Sequence, residues 1–531
     1  MPETKSGEMR RTLTLTGVTV NAMALIAPGA FLWTTFQTQA ALTHHGASTA
    51  NEMWTGLFFS LILAMLTAYS YAELARIYPD AGTGSSYYFA EAAFLDKEKP
   101  EHQRYARAAK LSVGWISHLY YWIYPGIMVA FTATLFGYLY TSLVHHTLTW
   151  LPLSMVAVAF AVLVGYVAYL GITGSTIASI VVNIIQIVCL LTVSVVFIWF
   201  RVAHPHAHSA AGPAFEQSGV SHILIPHSFI NMIYQSTVAI LLLVGFESVT
   251  ALGAEARNPD KDIKRGVLIS LLIQGGVCYL FEYFAANFAI GGALISNTDP
   301  SSNKLIGGYA AAANSKGTGA PIGDMIHTIG ENNFGHTGTT LAVIVALTVL
   351  LALVGTTLAC VNTGVRVTYS MSKDKEMPSV LGWLHGRWAT PHGAIIVMTI
   401  VAAALGVFGV NPYQVDNLTQ ITLASNIGTF LVYGGTCIIA LVAFASRHDR
   451  HLVKHIAIPA IGAAMNIIEM LAVFYIAFSE GTGTTPGNAV KALVVVGVWA
   501  VLGVIWARTN PKRGHARALV AERQEAPRVA V

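Results

Sequence analysis

A chain of 531 residues that is 54% hydrophobic and only 11% charged carries less than half of the roughly 25% charge usual in soluble domains, which excludes a set of ordinary soluble domains. Its formal net charge of +4 sits at the ends of apolar runs, not on one stripe interleaved with aromatics, which argues against nucleic acid as a partner. A mean hydropathy of +0.58 points to lipid, where each spanning segment satisfies its own backbone, so runs of about 20 apolar residues read as helices.

Apolar runs of spanning length fall near 13–38, 53–75, 111–142, 151–172, 175–200, 228–253, 265–293, 339–368, 393–410, 417–444, 455–478 and 488–507. The expected fold class is an all-α polytopic membrane protein of about twelve helices, forming a single membrane domain. Lys5, Arg10 and Arg11 precede the first run and no small-residue cleavage site closes it, so it reads as a retained span. An even count places both termini on one side. Of 30 Lys and Arg residues, only Arg201, Lys304, Lys316 and Lys491 fall in loops on the other side. The basic side is the cytoplasmic one, so the expected location is the cell (inner or plasma) membrane with both termini cytoplasmic.

The first run is interrupted at Ile26-Ala27-Pro28-Gly29-Ala30. Pro28 lacks an N–H and Gly29 is permissive, so the backbone there can leave the helix and expose its polar groups. The sixth run carries a second irregularity, Gly245-Phe246-Glu247-Ser248. First and sixth are matching ranks in two halves of five helices, which suggests an inverted repeat. Half-helix N-termini at such breaks suit a carboxylate and freed carbonyls suit an ammonium group or a cation. An amino acid offers both. Glu247 is a separate signal, because a carboxylate at bilayer depth costs a few kcal/mol and usually marks an ion or substrate pathway. A plain kink at Pro28 and a carboxyl bonded to a neighbouring helix are the bland alternatives.

Other features bound the chemistry. Cys189, Cys278, Cys360 and Cys437 lie inside apolar runs without CxxC spacing, so neither a disulfide framework nor a zinc site is expected. His204, His206 and His208 lie close together in the connection 201–227, but Pro205 separates the first two and no carboxylate or Cys adjoins them, so no metal and no cofactor is assigned. The connection 294–338, rich in Gly, Ser, Asn and Ala, reads as a long outer loop. Glu282 in the seventh run is read as lining a proton path or pairing with a neighbouring helix, and Glu469 in the eleventh as structural. Glu73 and Arg76 end the second run, where gating pairs with Lys261 or Arg366 are expected.

Three ordered motifs carry a family resemblance. Ser70-Tyr71-Ala72-Glu73-Leu74 is followed by Tyr78-Pro79-Asp80-Ala81-Gly82 and Tyr87-Tyr88. Gly245-Phe246-Glu247-Ser248 is followed by Glu255-Ala256-Arg257-Asn258-Pro259 and Ile263-Lys264-Arg265-Gly266-Val267. The third is Arg366-Val367-Thr368-Tyr369-Ser370-Met371-Ser372-Lys373-Asp374 with Pro378. Together they resemble the ends of the second, sixth and eighth helices of the amino acid, polyamine and organocation (APC) superfamily.

The resemblance implies a LeuT-like fold, with repeat one at about 12–200, repeat two at about 228–445, and two peripheral helices at about 455–507. It implies a secondary transporter of amino acids or polyamines working as proton symporter, exchanger or facilitator. Carried over by position, the substrate carboxylate meets Ala27-Pro28-Gly29-Ala30, with Pro28 removing one donor, and the amine meets carbonyls of Val244, Gly245 and Phe246. Glu247 resembles a coupling carboxylate, and Tyr121, Thr356, Thr357 and Cys360 complete the implied site. Gln186 falls where many proton-coupled members have a Lys that stands in for sodium between helices one and eight. That departure leaves titration of Glu247, simple exchange, or a sodium ion on Thr356, Thr357 and helix-one carbonyls.

The expected substrate is a neutral or zwitterionic amino acid, since Glu247 is the main acidic group in reach and Ala27, Ala30, Val244 and Leu241 are small or apolar. A polyamine or organic cation, or sodium-coupled amino acid symport, is the alternative. An enzyme is not expected, because no HExxH, GxSxG or paired-carboxylate motif adjoins the spans. A channel is disfavoured by the paired breaks.

Overall fold

The first apolar run folds as two short helices, α1 (Leu15–Ile26) and α2 (Leu32–Ala40). In the computed structural model the described residues are 13–26, 32–79, 84–97, 104–171, 176–207, 219–252, 256–290, 296–298, 303–314, 320–386, 388, 390–410, 416–479 and 484–509. Ala27, Pro28, Gly29 and Ala30 therefore lie outside the described residues. After α2, a small hairpin pairs β1 (Thr43–His44) with β2 (Ala47–Ser48). His45 and Gly46 turn it with φ of 50° and 77°, the left-handed pair that a two-residue hairpin loop requires.

The first half continues with α3 (Met53–Ile77), α4 (Ser86–Leu95), α5 (Arg104–Val144), α6 (Trp150–Tyr169) and α7 (Thr176–Ala203). The short α8 (Val220–Leu224) leads to α9 (Phe229–Ala239), which starts where Ser228 Oγ accepts from the Asn231 amide at 3.4 Å. Next comes α10 (Pro259–Leu271), which has Pro at its first position and Asp262 bonded back to the Asn258 amide. A π-helical stretch at Leu272–Tyr279 joins α10 to α11 (Leu280–Ile290).

Where a long loop was expected over 294–338, the chain builds a hairpin, β3 (Ser296–Thr298) with β4 (Leu305–Gly307), then α12 (Gly308–Ala313) and α13 (Pro321–Asn333). The reason is legible afterwards. Residues 310–313 are a run of alanines, the best helix former, and Ile322, Met325, Ile326 and Ile329 are buried at one-face helical spacing. Both helices lie against α2. The chain ends with α14 (Gly338–Lys373), α15 (His392–Gly409), α16 (Asp416–Phe444), α17 (Ile458–Ser479) and α18 (Thr484–Thr509).

Among the described residues, eleven helical stretches are long and apolar enough to cross a membrane, and α1 adds a shorter apolar helix. The helix pairings recur when each spanning helix is shifted by five ranks, as an inverted repeat demands. α1 lies on α10 as α9 lies on α3; α5 lies on α15 and α16 as α14 lies on α6 and α7; α3 lies on α16 as α11 lies on α7. The third and eighth helices are also the two longest, at 41 and 36 residues, near 60 and 54 Å at about 1.5 Å per residue. This is an all-α, LeuT-like arrangement. α17 and α18 stand outside it, with α18 fastened by two stacked indoles: Trp115 Nε1 donates to the Trp499 carbonyl and Trp499 Nε1 to the Trp115 carbonyl, each at 2.9 Å.

Candidate functional site at the helix breaks

The sixth helix stops at Ala239, makes one 3₁₀ turn over Ile240–Leu242, and resumes as 3₁₀ helix over Phe246–Leu252. Gly245 sits between with φ +126°, a conformation that a side chain would strain. Carbonyls at and just before the break accept from other helices, the Ser236 carbonyl in addition to the Ile240 amide of its own helix. Tyr124 Oη donates to the Leu241 carbonyl (3.3 Å), Asn426 Nδ2 to that of Thr237 (2.8 Å), and Ser60 Oγ to that of Ser236 (3.1 Å). The Gly245 amide donates to Glu247 Oε2 at 3.0 Å, so Glu247 closes the break it belongs to.

Glu247 is fully buried. Tyr120 Oη on α5 donates to its Oε1 at 2.8 Å and Tyr433 Oη on α16 to its Oε2 at 2.7 Å. The surrounding rings form two clusters. Phe246 lies 5.1 Å from Tyr433 and 6.0 Å from Tyr71, and Tyr120 lies 4.4 Å from Tyr121 and 5.5 Å from Tyr124. Tyr71 is anchored by Ser86 Oγ at 2.7 Å. A carboxyl among aromatic faces is the arrangement that attracts an organic cation.

Carbonyls near the described end of α1 accept hydrogen bonds from other helices. Three of them accept from helices seven and eight: Met23 from Gln274 Nε2 (3.2 Å), Ala24 from Thr356 Oγ1 (3.0 Å) and Ile26 from Tyr279 Oη (2.9 Å). Gln274 also donates to Asn183 Oδ1 on α7 at 3.1 Å. Gln274 lies in the π-helical stretch, a feature often tied to function. These donors are all neutral.

Ties close both ends around this centre. On the α2 side, Gln39 Nε2 donates to Gln235 Oε1 (3.1 Å), Gln235 Nε2 donates to the Gln39 carbonyl (2.9 Å), and Tyr283 Oη donates to Gln39 Oε1 (2.6 Å). These bonds, with that of Tyr283, zip α2 to α9. On the opposite side, Arg257 N donates to the Leu13 carbonyl at 2.8 Å. There Glu73 holds Arg76 at 2.7 Å, Lys264 and, at 3.5 Å, His455. Beside it Lys110 joins Glu91 (2.8 Å) to Asp374 (2.6 Å), and Arg107 holds Glu376 (2.9 Å).

Of the residues singled out from sequence, Ile26, Val244, Gly245, Phe246, Glu247, Ser248 and Thr356 fall at the breaks, with Ser248 Oγ donating to the Gly245 carbonyl at 2.7 Å. Tyr121 lies tilted against Tyr120, and its carbonyl would lie 3.2 Å from any Cβ at Gly364, so α5 and α14 meet closely there. Thr357 Oγ1 turns to its own helix, at the Leu353 carbonyl (2.6 Å), and Cys360 is buried one turn further. Gln186 is buried with its Oε1 unpartnered among the described residues. Glu73 takes Lys264 where Lys261 was expected, because Lys264 lies one turn further along α10. His204 is bonded to the Phe200 carbonyl and Asn333 Nδ2, and His208 lies outside the described residues. Sequence reading missed Tyr71, Tyr120, Tyr433 and Gln274. The available signal was that a tyrosine or glutamine deep in a span needs a partner.

A model of the family described as amino acid permease matches residues 17–513. The chain is 23% identical over 513 residues to the low-affinity putrescine importer PlaP of Escherichia coli strain K12, covering 95% of this chain and 94% of that one. It is 24% identical over 432 residues to the branched-chain amino acid permease BcaP of Bacillus subtilis, covering 79% and 77%. To the methylthioribose transporter of Bacillus subtilis it is 23% identical over 456 residues, covering 84% of each. With one family matched along nearly its whole length, the chain belongs to the amino acid permease family.

Proposed function

We propose that this protein is a secondary transporter of a small amine-bearing solute, working by alternating access around the two helix breaks. The observation that carries the reading is Glu247, buried among Tyr71, Tyr120, Phe246 and Tyr433 between two tied ends. The ammonium group meets Glu247 and the ring faces. An amino acid remains the preferred substrate, in line with the branched-chain amino acid permease among the relatives. A polyamine is the second reading, favoured by the aromatic clusters and by the putrescine importer.

The proposed site comprises Ile26, Ala27, Pro28, Gly29, Ala30, Tyr121, Val244, Gly245, Phe246, Glu247, Ser248, Thr356, Thr357 and Cys360, to which Tyr120 and Tyr433 are added. The coupling ion is a proton or sodium. The protein works on its solute by moving it, as one transport domain with repeats at about 12–200 and 228–445 and peripheral helices at about 455–507. It lies in the plasma or inner membrane with both termini cytoplasmic, a placement that the basic loops support.

The test is uptake into proteoliposomes of labelled leucine, isoleucine, valine and putrescine, with proton and sodium gradients imposed separately. Saturable uptake of one class is expected, and no uptake of any amino acid or amine sinks the reading. Tyr433→Phe keeps the ring but removes one buried donor to Glu247. A loss of about 1–1.5 kcal/mol makes transport slower by about tenfold, with little change in melting temperature. Wild-type uptake kinetics in that variant speak against a role for this bond.

A further inference from the structure

Glu247 accepts at both oxygens, but a second carboxyl in the membrane region does not. Glu282 on α11 is 2% exposed, and neither Oε1 nor Oε2 has a hydrogen-bond partner among the described residues. α11 runs along α7 and also touches α3 and the short α8. From α7 the titratable group facing Glu282 is Cys189, within electrostatic reach, whose thiol accepts from Thr348 Oγ1 at 3.4 Å. On its own helix the neighbour is Tyr283, whose hydroxyl is turned to Gln39. From α3 and α8, no Lys, Arg or His among the described residues comes within ion-pair distance.

The surroundings of Glu282 repeat the same shortage of donors. Gln186 Oε1, one turn from Cys189 on α7, and Gln274 Oε1, beside the α1 carbonyls, are also buried without partners. Asn183, Gln186 and Cys189 follow one another at three-residue spacing, which sets them on one face of α7. Among the described residues, α7, the π-helical stretch and α11 thus hold four unpartnered buried acceptor oxygens, two of them on Glu282. A buried carboxyl with neither oxygen partnered fits a ligand that brings its own positive charge and hydrogen, as a proton does. A carboxyl at bilayer depth is the side chain that takes up such a charge reversibly.

We propose that Glu282 binds the coupling proton, at a site in the α7–α11 seam that is separate from Glu247 and the solute. The inference rests on the transport reading above. A proton from the outer aqueous phase adds to the carboxylate to give the acid. After the conformational change the acid returns the proton to the cytoplasm and the carboxylate is regenerated. Gln186 and Gln274 supply the acceptors along the route.

The experiment uses full-length protein in proteoliposomes with labelled leucine and putrescine as probes. Counterflow without a gradient is measured first, then uptake under an inward proton gradient. Wild type is expected to show both, with the gradient raising uptake several-fold. Glu282→Gln, of equal shape, is expected to keep counterflow while the gradient response falls to onefold. A gradient response retained in E282Q, or wild-type counterflow that no proton gradient accelerates, overturns the proposal. If E282Q does not fold, Glu282→Asp decides: a displaced pH profile of uptake supports the proposal and an unchanged one refutes it. Wild type without counterflow of either probe removes the transport reading and this inference with it, whereas intact counterflow with an unaltered gradient response removes the inference alone.

Discussion

Glu247→Gln is expected to lower kcat/KM for solute uptake by on the order of a hundredfold, about 2.7 kcal/mol, without unfolding the protein. The amide can keep its oxygen toward the Gly245 amide and Tyr433 Oη, and its NH₂ can donate to Tyr120 Oη, whose lone pairs were free. What disappears is the charge that an ammonium group meets. An ion pair at about 4 Å is worth about 4 kcal/mol at the effective dielectric of protein sites, and desolvation of the solute takes back part of this. Initial uptake rates beside a melting curve in detergent make the comparison. Transport at the wild-type rate in a folded E247Q protein contradicts the role given to Glu247.

Lys110→Met is expected to cost about 3–5 kcal/mol of stability, the usual result of removing one partner from a buried ion pair. Lys110 is 6% exposed and is held by Glu91 and Asp374, with Tyr87 donating to the same Asp374 at 3.0 Å. Its ammonium also lies 4.9 and 5.2 Å from the Tyr87 and Tyr88 ring centres. Without it two carboxyls lie uncompensated. Burial pushes Glu91 above the ordinary carboxylate range, Lys110 pulls it back, and Asp374 adds to the upward shift. A carboxyl raised in the folded state contributes stability below its unfolded value and loses it as pH rises through the folded one.

The deficit of K110M is therefore largest near neutral pH and shrinks on acidification, as Glu91, left without Lys110, gains a proton. Thermal unfolding at several pH values reads this directly. A variant that also carries Glu91→Gln and Asp374→Asn should recover much of the loss, since a neutral set leaves no unpaired charge. An unchanged melting temperature in K110M alone means that the cluster does not hold the α4, α5 and α14 ends together.

How far the sequence reaches is clearest residue by residue. The break at Gly245 was readable, because a glycine before a buried acid in an apolar run has few other uses. The helices α12 and α13 were not, because the Gly, Ser and Asn around them masked short alanine and isoleucine patterns. Tyr121 was chosen, and its neighbour Tyr120 also donates to Glu247 Oε1. Neighbours on a helix differ by about 100° of rotation, and an apolar run that is buried on several sides does not reveal which rotation faces the site. Gln186 was rightly set apart as uncharged, but its unpartnered carbonyl became visible only once α7 was packed.

By itself the sequence determined the all-α membrane class, the break at Gly245 and where the basic residues gather along the chain, since hydropathy, Gly and charge act locally and need no partner to be read. The tertiary structure alone decided which groups meet. Glu247 takes its donors from residues 127 and 186 positions away, the α1 carbonyls take theirs from α14 and the stretch joining α10 to α11, and Glu282 takes none among the described residues. In a bilayer almost every helix face is apolar. The hydrogen bonds that a few polar side chains make are therefore set by how the helices turn and pack, and no single stretch of chain records that.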